Sequence, residues 1–157
     1  MAEQTRQVTF AVEDYFSCIG EIEKLLESHW LEVGTDRDKI PMDVDKIQYG
    51  YLAASGQLHV VVARCAGAVV GYHSSIVKPH LRYKSTLMSF VDVYFLHKDF
   101  RRGMTGIKLL KFTEESLKAR GVKKIVTSTK LSLDMTPLWK RLGYKPVETV
   151  LSKWIGD

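Results

Sequence analysis

Apolar residues recur at two periods along this chain, and the changes of period divide it into elements. Gln7 to Val12 reads as a short strand. From Glu13 to Val33, the positions Phe16, Ile19, Ile22, Leu25, Leu26, Trp30 and Val33 fall three or four residues apart, which predicts an amphipathic helix. Gly34 and the run TDRDKIP break it. Pro41 and Asp43 introduce a second, shorter helix near Val44 to Ala54, stopped by Gly56. Leu58 to Arg64 and Ala68 to Val77 are β-rich and separated by an Ala66-Gly67 turn, so they predict a hairpin that ends at Pro79-His80. Leu87 to Leu96 is a long apolar strand. Thr105 to Arg120 carries Ile107, Leu109, Leu110, Phe112 and Leu117 at helical spacing and closes at Gly121. A strand over Lys124 to Ser128, a short helix over Leu133 to Leu142 stopped by Gly143, and a last strand over Val147 to Trp154 complete the series.

The chain has no internal repeat, no low-complexity tract and no linker long enough to separate a pair of domains, so one domain over residues 1–157 is expected. A hairpin feeding a strand–helix–strand crossover predicts a mixed α/β sheet with helices on both faces. Ligands of such sheets sit at the C-terminal end of a central strand, beside the crossover helix. Composition supports this: 45% apolar residues supply a core, and 26% charged residues are too few for a disordered chain. No apolar run approaches the ~20 residues of a membrane span, and MAEQTRQVTF lacks the apolar core of a secretory leader. Cys18 and Cys65 form neither a disulfide framework nor a zinc site and are expected as buried thiols in a reducing, cytoplasmic setting. Charge is divided unevenly. Residues 1–96 carry 9 basic and 12 acidic side chains, whereas residues 97–157 carry 14 and 6, so a chain of net +5 has an acidic N-terminal stretch and a basic end. A basic end suits an anionic ligand, a nucleotide phosphate or nucleic acid, as well as an ordinary solvated surface.

The strand ending at Leu96 runs into a basic, glycine-punctuated loop and then directly into a helix. Arg101, Arg102, Gly103 and Gly106 lie in this loop. A helix start presents about four unpartnered N–H groups and about half a positive charge, and glycines let backbone approach a phosphate without a Cβ in the way. Thr105 either caps the helix or offers its hydroxyl to the phosphate. The spacing of a Walker loop is absent, as is the three-glycine dinucleotide fingerprint.

The run LHKDFRRGMTGIKLL resembles the acyl-CoA-binding motif of the GNAT superfamily of N-acetyltransferases, Arg/Gln-x-x-Gly-x-Gly/Ala between a central strand and a helix. Arg101 falls on its arginine and Gly106 on its second glycine; Met104 stands at the first glycine position, with Gly103 one residue earlier. TPLWKRLGYKPVE resembles the family's closing segment, matching at Leu138, Gly143 and Tyr144, with Trp139 where the family often has a tyrosine general acid. The helix ending in HW, the segments GYH and PH-x-x-Y, the D-x-Y strand and the RLGY-x-x-x-E close also resemble small GNAT proteins encoded by bacteriophages. The resemblance implies a GNAT-type mixed, mostly antiparallel central sheet with helices on both faces, and acetyl-CoA as cosubstrate. It further implies coenzyme contacts at Arg101, Arg102, Gly103, Met104, Thr105, Gly106 and Ile107, with the backbone of Tyr94, Phe95 and Leu96 along the pantetheine and Trp139 near the coenzyme arm. The family often dimerises.

Acetyl transfer to an amine requires a base, polarisation of the thioester carbonyl and an acid for the leaving thiolate. Asp92, the only charge inside FVDVYFL, is the best base candidate if its strand is buried; an Asp paired with a neighbour fits equally. Tyr94, two residues on, is expected on the same face as acceptor contact, proton donor or core tyrosine. His73 on the neighbouring strand is a second base or a packed histidine. His80 and Tyr83 could line an acceptor site, His97 lies at the strand's end, and Lys108 and Lys111 could reach the adenosine phosphates or remain solvated. No metal-ligand spacing and no nucleophilic triad are visible. The expected activity is transfer of acetyl to a primary amine by direct attack. The acceptor classes that fit are protein lysine, protein N-terminus, polyamine, antibiotic and charged tRNA. Two other classes compete: a catalytically weak GNAT-fold CoA-binding or interaction module, motivated by Trp139 and Met104, and, ranked last, a nucleic-acid binder using the basic end.

Overall fold

A computed structural model describes residues 7–157; the start of the segment read as lacking a leader core lies outside these residues. Five strands form one sheet in the order β1-β2-β3-β4-β5. They are β1 (Val8–Val12), β2 (Leu58–Cys65), β3 (Ala68–His80), β4 (Tyr83–Leu96) and β5 (Lys124–Val126). Successive pairs from β1 to β4 are antiparallel, and β5 runs parallel to β4 after the crossover helix. The predicted mixed, mostly antiparallel α/β sheet is therefore present.

Helices cover both faces. On one face lie α1 (Tyr15–Val33) and α2 (Lys46–Ala54). Asp14 caps α1 by accepting from the Ser17 amide at 3.1 Å, and Asp45 caps α2 from the Gln48 amide at 2.8 Å, so both helices begin two residues later than their apolar pattern suggests. Cys18 and Ile22 of α1 pack on Val60, Val62, Tyr72 and Phe95 of the sheet. On the other face α3 (Thr105–Ala119) buries Leu109 against Val61, Val70 and Leu96, and Leu117 against Val77 and Val122. The two faces thus alternate along β2, as period-2 strands require.

Several expectations need correction. The second strand of the predicted hairpin does not end at Val77: β3 runs on to His80, and β4 begins at Tyr83 rather than Leu87, with His80 opposite Tyr83. Pro79 is tolerated because β2 stops pairing at Ile76, leaving that edge of β3 with no ladder bond for a proline to remove. Strand β5 ends at Val126 rather than Ser128, because the chain there turns away from β4. The closing helix α4 is shorter than predicted, Thr136–Arg141, with Pro137 in its first turn. No strand forms over Val147 to Trp154: the segment is irregular, and Val147, Val150 and Leu151 stay exposed. A three-residue β5 offers that segment almost no edge to pair with. Both thiols are free, but only Cys18 is fully buried; Cys65 is half-buried.

Candidate active site

The site is built where β4 and β5 separate. Strand β5 pairs with β4 only from Met88 to Phe90. Among the described residues no strand lies beside the same edge of β4 from Val91 to Leu96, so a row of main-chain groups faces a wedge between the two strands. Such an edge is a template for an extended, amide-bearing chain.

Strand β4 leads into a 3-10 turn at Lys98–Phe100 and then the loop that starts α3. Met104 occupies the N-cap of α3 and no side chain caps this end. The first amides of the helix are therefore free to meet an anion. Gly103 adopts φ +70, a left-handed conformation that glycine accepts without strain, and a Cβ at Gly106 would meet nothing nearer than Leu96 Cδ2 at 3.9 Å. Glycine has moved one residue earlier than in the usual motif, yet the turn still forms. Arg102, Met104 and Lys108 are exposed around this cradle, and Thr105, Gly106 and Ile107 are half-buried. These residues fit the pyrophosphate of a coenzyme.

The arginine at the motif position has a different surrounding. Arg101 pairs through its Nη2 with both carboxylate oxygens of Glu32 on α1, at 2.7 and 2.8 Å. Its Nε donates to the Leu96 carbonyl at 2.6 Å, and its guanidinium lies 5.4 Å from the centre of the Phe95 ring. Arg101 thus fastens the loop to the end of β4 and to α1, and Arg102 is the arginine left to face a phosphate.

The sequence profile of the acetyltransferase (GNAT) family matches residues 21–144. The chain belongs to the GNAT acetyltransferase family. Its enzymes are N-acetyltransferases that use acetyl-CoA. Solved structures agree in fold. Ribosomal-protein-alanine N-acetyltransferase from Brucella melitensis biovar Abortus 2308 superposes with TM-score 0.75 at 18% identity, covering 96% of this chain and 99% of that one. Glucosamine-6-phosphate N-acetyltransferase from Arabidopsis thaliana gives 0.71 at 11% identity, and the AAC(6')-Iy structure in complex with a bisubstrate analog gives 0.70 at 13%, each with the same coverage. No curated protein sequence matches the chain.

Within this GNAT fold the candidate catalytic side chains separate onto two faces. Ser74 pairs with Val93 and Ser75 with Val91, so Asp92 is the extra residue of a β-bulge. The bulge cancels the period-2 relation, and Asp92 and Tyr94 do not share a face as the spacing predicted. Asp92 is exposed rather than buried, and its carboxylate accepts from the Tyr49 hydroxyl of α2. Tyr49 stacks on Tyr15 of α1, 5.8 Å between centres, which fixes the hydroxyl's direction.

Tyr94 instead meets Trp139 of α4 edge-on at 5.3 Å, on the α3 side. Burial raises its pKa, so the hydroxyl holds its proton at neutral pH. The Trp139 indole N–H lies close enough to favour the Tyr94 anion slightly but makes no hydrogen bond of ordinary geometry. Trp139 is 5% exposed and also packs on Tyr144, where burial and the Glu114 carboxylate together raise the phenol pKa.

His73 is 2% exposed, its Nδ1 has no partner, and burial pushes its pKa down to about 3. It faces Tyr94 at 6.4 Å within the packed interior. Phe95 is buried on the α1 side against His29, with ring centres 4.9 Å apart, whereas Leu96 packs on the α3 side. His80 and Tyr83 pack against each other at a tilt at the far hairpin tip, and His97 Nδ1 accepts from the Asp99 amide at 3.4 Å. Lys111, like Lys108, is exposed along α3. Among the described residues no cluster of side chains with metal-ligating geometry exists, and no helix is long and apolar enough to cross a membrane.

Sequence reasoning missed Tyr49, Glu32 and the bulge. Tyr49 sits in a helix with no fully buried residue, so no periodic signal marked it. Glu32 is one of several acidic residues on α1, and only the fold brings it to Arg101.

Proposed function

We propose that this one-domain protein acetylates a primary amine with acetyl-CoA by direct attack on the thioester. The observation that carries the reading is the unpaired edge of β4 from Val91 to Leu96, which ends at the uncapped start of α3. The coenzyme supplies an activated acetyl group. The main chain of Tyr94, Phe95 and Leu96 would hold its pantetheine and polarise the carbonyl, and the amides from Gly103 to Ile107, with Arg102, would hold its pyrophosphate.

The amine nitrogen forms the new C–N bond as the C–S bond breaks. A proton leaves the nitrogen for Asp92, directly or through water, while Tyr49 orients the carboxylate. The departing thiolate takes a proton from Tyr94, whose raised pKa keeps that proton available. Tyr94 against Trp139 thereby stands in for the hydroxyl that Trp139 lacks. His73, sealed and neutral, has a packing role in this scheme. The resemblance to small bacteriophage proteins supports a host-cytoplasm setting.

Incubation with acetyl-CoA and a panel of amines, read as free thiol released, tests the reading. Amine-dependent thiol release supports it. Tight CoA binding with no release across proteins, peptides and small amines would instead support the CoA-binding module, and failure to bind CoA would overturn both.

A further inference from the structure

The α1 face of the sheet is not filled along its whole length. A cavity of about 220 Å³ lies between α1, the segment leading into α2, and strands β2 to β4. Its wall is almost wholly apolar, formed by side chains such as Ile22, Leu26, Val60 and Val93 with the Trp30 ring.

Few polar groups interrupt that wall. The His29 Nδ1 and the Tyr72 hydroxyl are bonded to each other at 2.7 Å, and burial pushes His29 down to about 4, so it carries no charge at neutral pH. The Ser74 hydroxyl is different: the residue is 6% exposed, it lines the cavity, and its oxygen has no partner. Ser74 pairs across the ladder with Val93, beside the bulge at Asp92, and Tyr49, another lining residue, donates to the Asp92 carboxylate. One carboxylate and one free hydroxyl therefore mark the same end of an apolar chamber.

We propose that this cavity is the acceptor subsite and that it takes a primary amine bearing one compact apolar body, about the size of an aromatic ring, on an arm short enough for the ammonium to reach Asp92 and Ser74. This rests on the amine-acetylating reading above. Size supports it: an apolar cavity of about 150 Å³ is enough to bind benzene, so the present one accepts a ring and a short arm. Charge supports it as well. A polyamine or aminoglycoside would bring several ammonium groups to a chamber with a single carboxylate at its rim, leaving the others desolvated and unpaired. A peptide would need an extended groove, whereas Met42 and Val44 wall this cavity from the α1–α2 side.

Calorimetric titration of the CoA-loaded protein with 2-phenylethylamine, ethylamine, spermidine and a lysine-containing peptide tests the assignment. Burial of the ring predicts phenylethylamine binding at least about tenfold tighter than ethylamine and tighter than spermidine or the peptide. Val60→Phe fills the wall and should erase the preference. Met42→Trp narrows the mouth from an exposed position and should do the same without disturbing the core, so the test survives if Val60→Phe fails to fold. Spermidine or the peptide binding as tightly as phenylethylamine, or the preference persisting in both folded variants, would overturn the proposal. Thiol release on the same samples separates the two readings. Phenylethylamine binding with no release from any amine contradicts the transferase reading alone, and release with spermidine or peptide but not phenylethylamine contradicts the ligand class alone.

Discussion

Three buried histidines make this fold sensitive to acid, and the size of the effect follows from their surroundings. His29, His59 and His73 are 7%, 2% and 2% exposed. Burial is the leading cause that lowers each from 6.5, to about 4, about 4 and about 3 respectively. Below pH 6.5 the unfolded chain binds protons that the folded chain refuses. Their contribution is therefore fully present above about pH 6.5 and is lost as pH falls towards the folded values. At pH 5.5 each histidine costs about 1.4 kcal/mol relative to neutral pH, so the three cost about 4 kcal/mol together. For a chain of this length that lowers the melting temperature by about 8–16 °C. Thermal unfolding followed by circular dichroism at pH 7.5 and 5.5 measures it. His73→Leu removes a group whose Nδ1 has no partner, so the variant should fold and lose only about two-thirds as much stability over the same interval. A melting temperature that moves by less than about 3 °C between the two pH values, or a His73→Leu variant with the full acid loss, would show that the buried histidines do not set the acid sensitivity.

Other perturbations have defined outcomes. Glu32→Gln leaves Arg101 with only its backbone and ring contacts, and should cost about 1 kcal/mol in chemical denaturation while weakening CoA affinity through a looser loop. Tyr94→Phe should lower kcat by about 10²-fold or more with little change in KM for acetyl-CoA, and Asp92→Asn should lower it by a comparable factor; rates within twofold of the parent would remove either residue from the chemistry. The two thiols should differ: the half-buried Cys65 reacts with a disulfide reagent in the folded protein, while Cys18, fully buried and pushed up to about 11 mainly by burial, reacts only on unfolding.

The sheet, the two long helices and the glycine turn that starts α3 were legible because each follows from a local pattern. The apolar stripe of α1, the β-rich runs around Ala66-Gly67 and the strand–glycine–helix junction at Leu96 to Gly106 are all written in neighbouring residues. The bulge at Asp92 was not, since an extra residue in a ladder depends on the partner strand, and it reversed the expected relation of Asp92 to Tyr94. Arg101 illustrates the same limit. Its place between strand and helix was legible, but its partner Glu32 comes from a helix 69 residues away in sequence. The expected last strand failed for a related reason: Val147 to Trp154 has the composition of a strand, and what it lacks is an edge to join.

In the proposed reading, the open edge of β4 and the start of α3 hold the coenzyme. Backbone amide chemical shifts recorded while CoA is titrated into the protein test it most directly. The largest changes are expected at Tyr94 to Leu96 and at Gly103 to Ile107, with the β1–β2 ladder unmoved. Saturable binding with its shifts centred elsewhere, or no shifts at millimolar CoA, would contradict it.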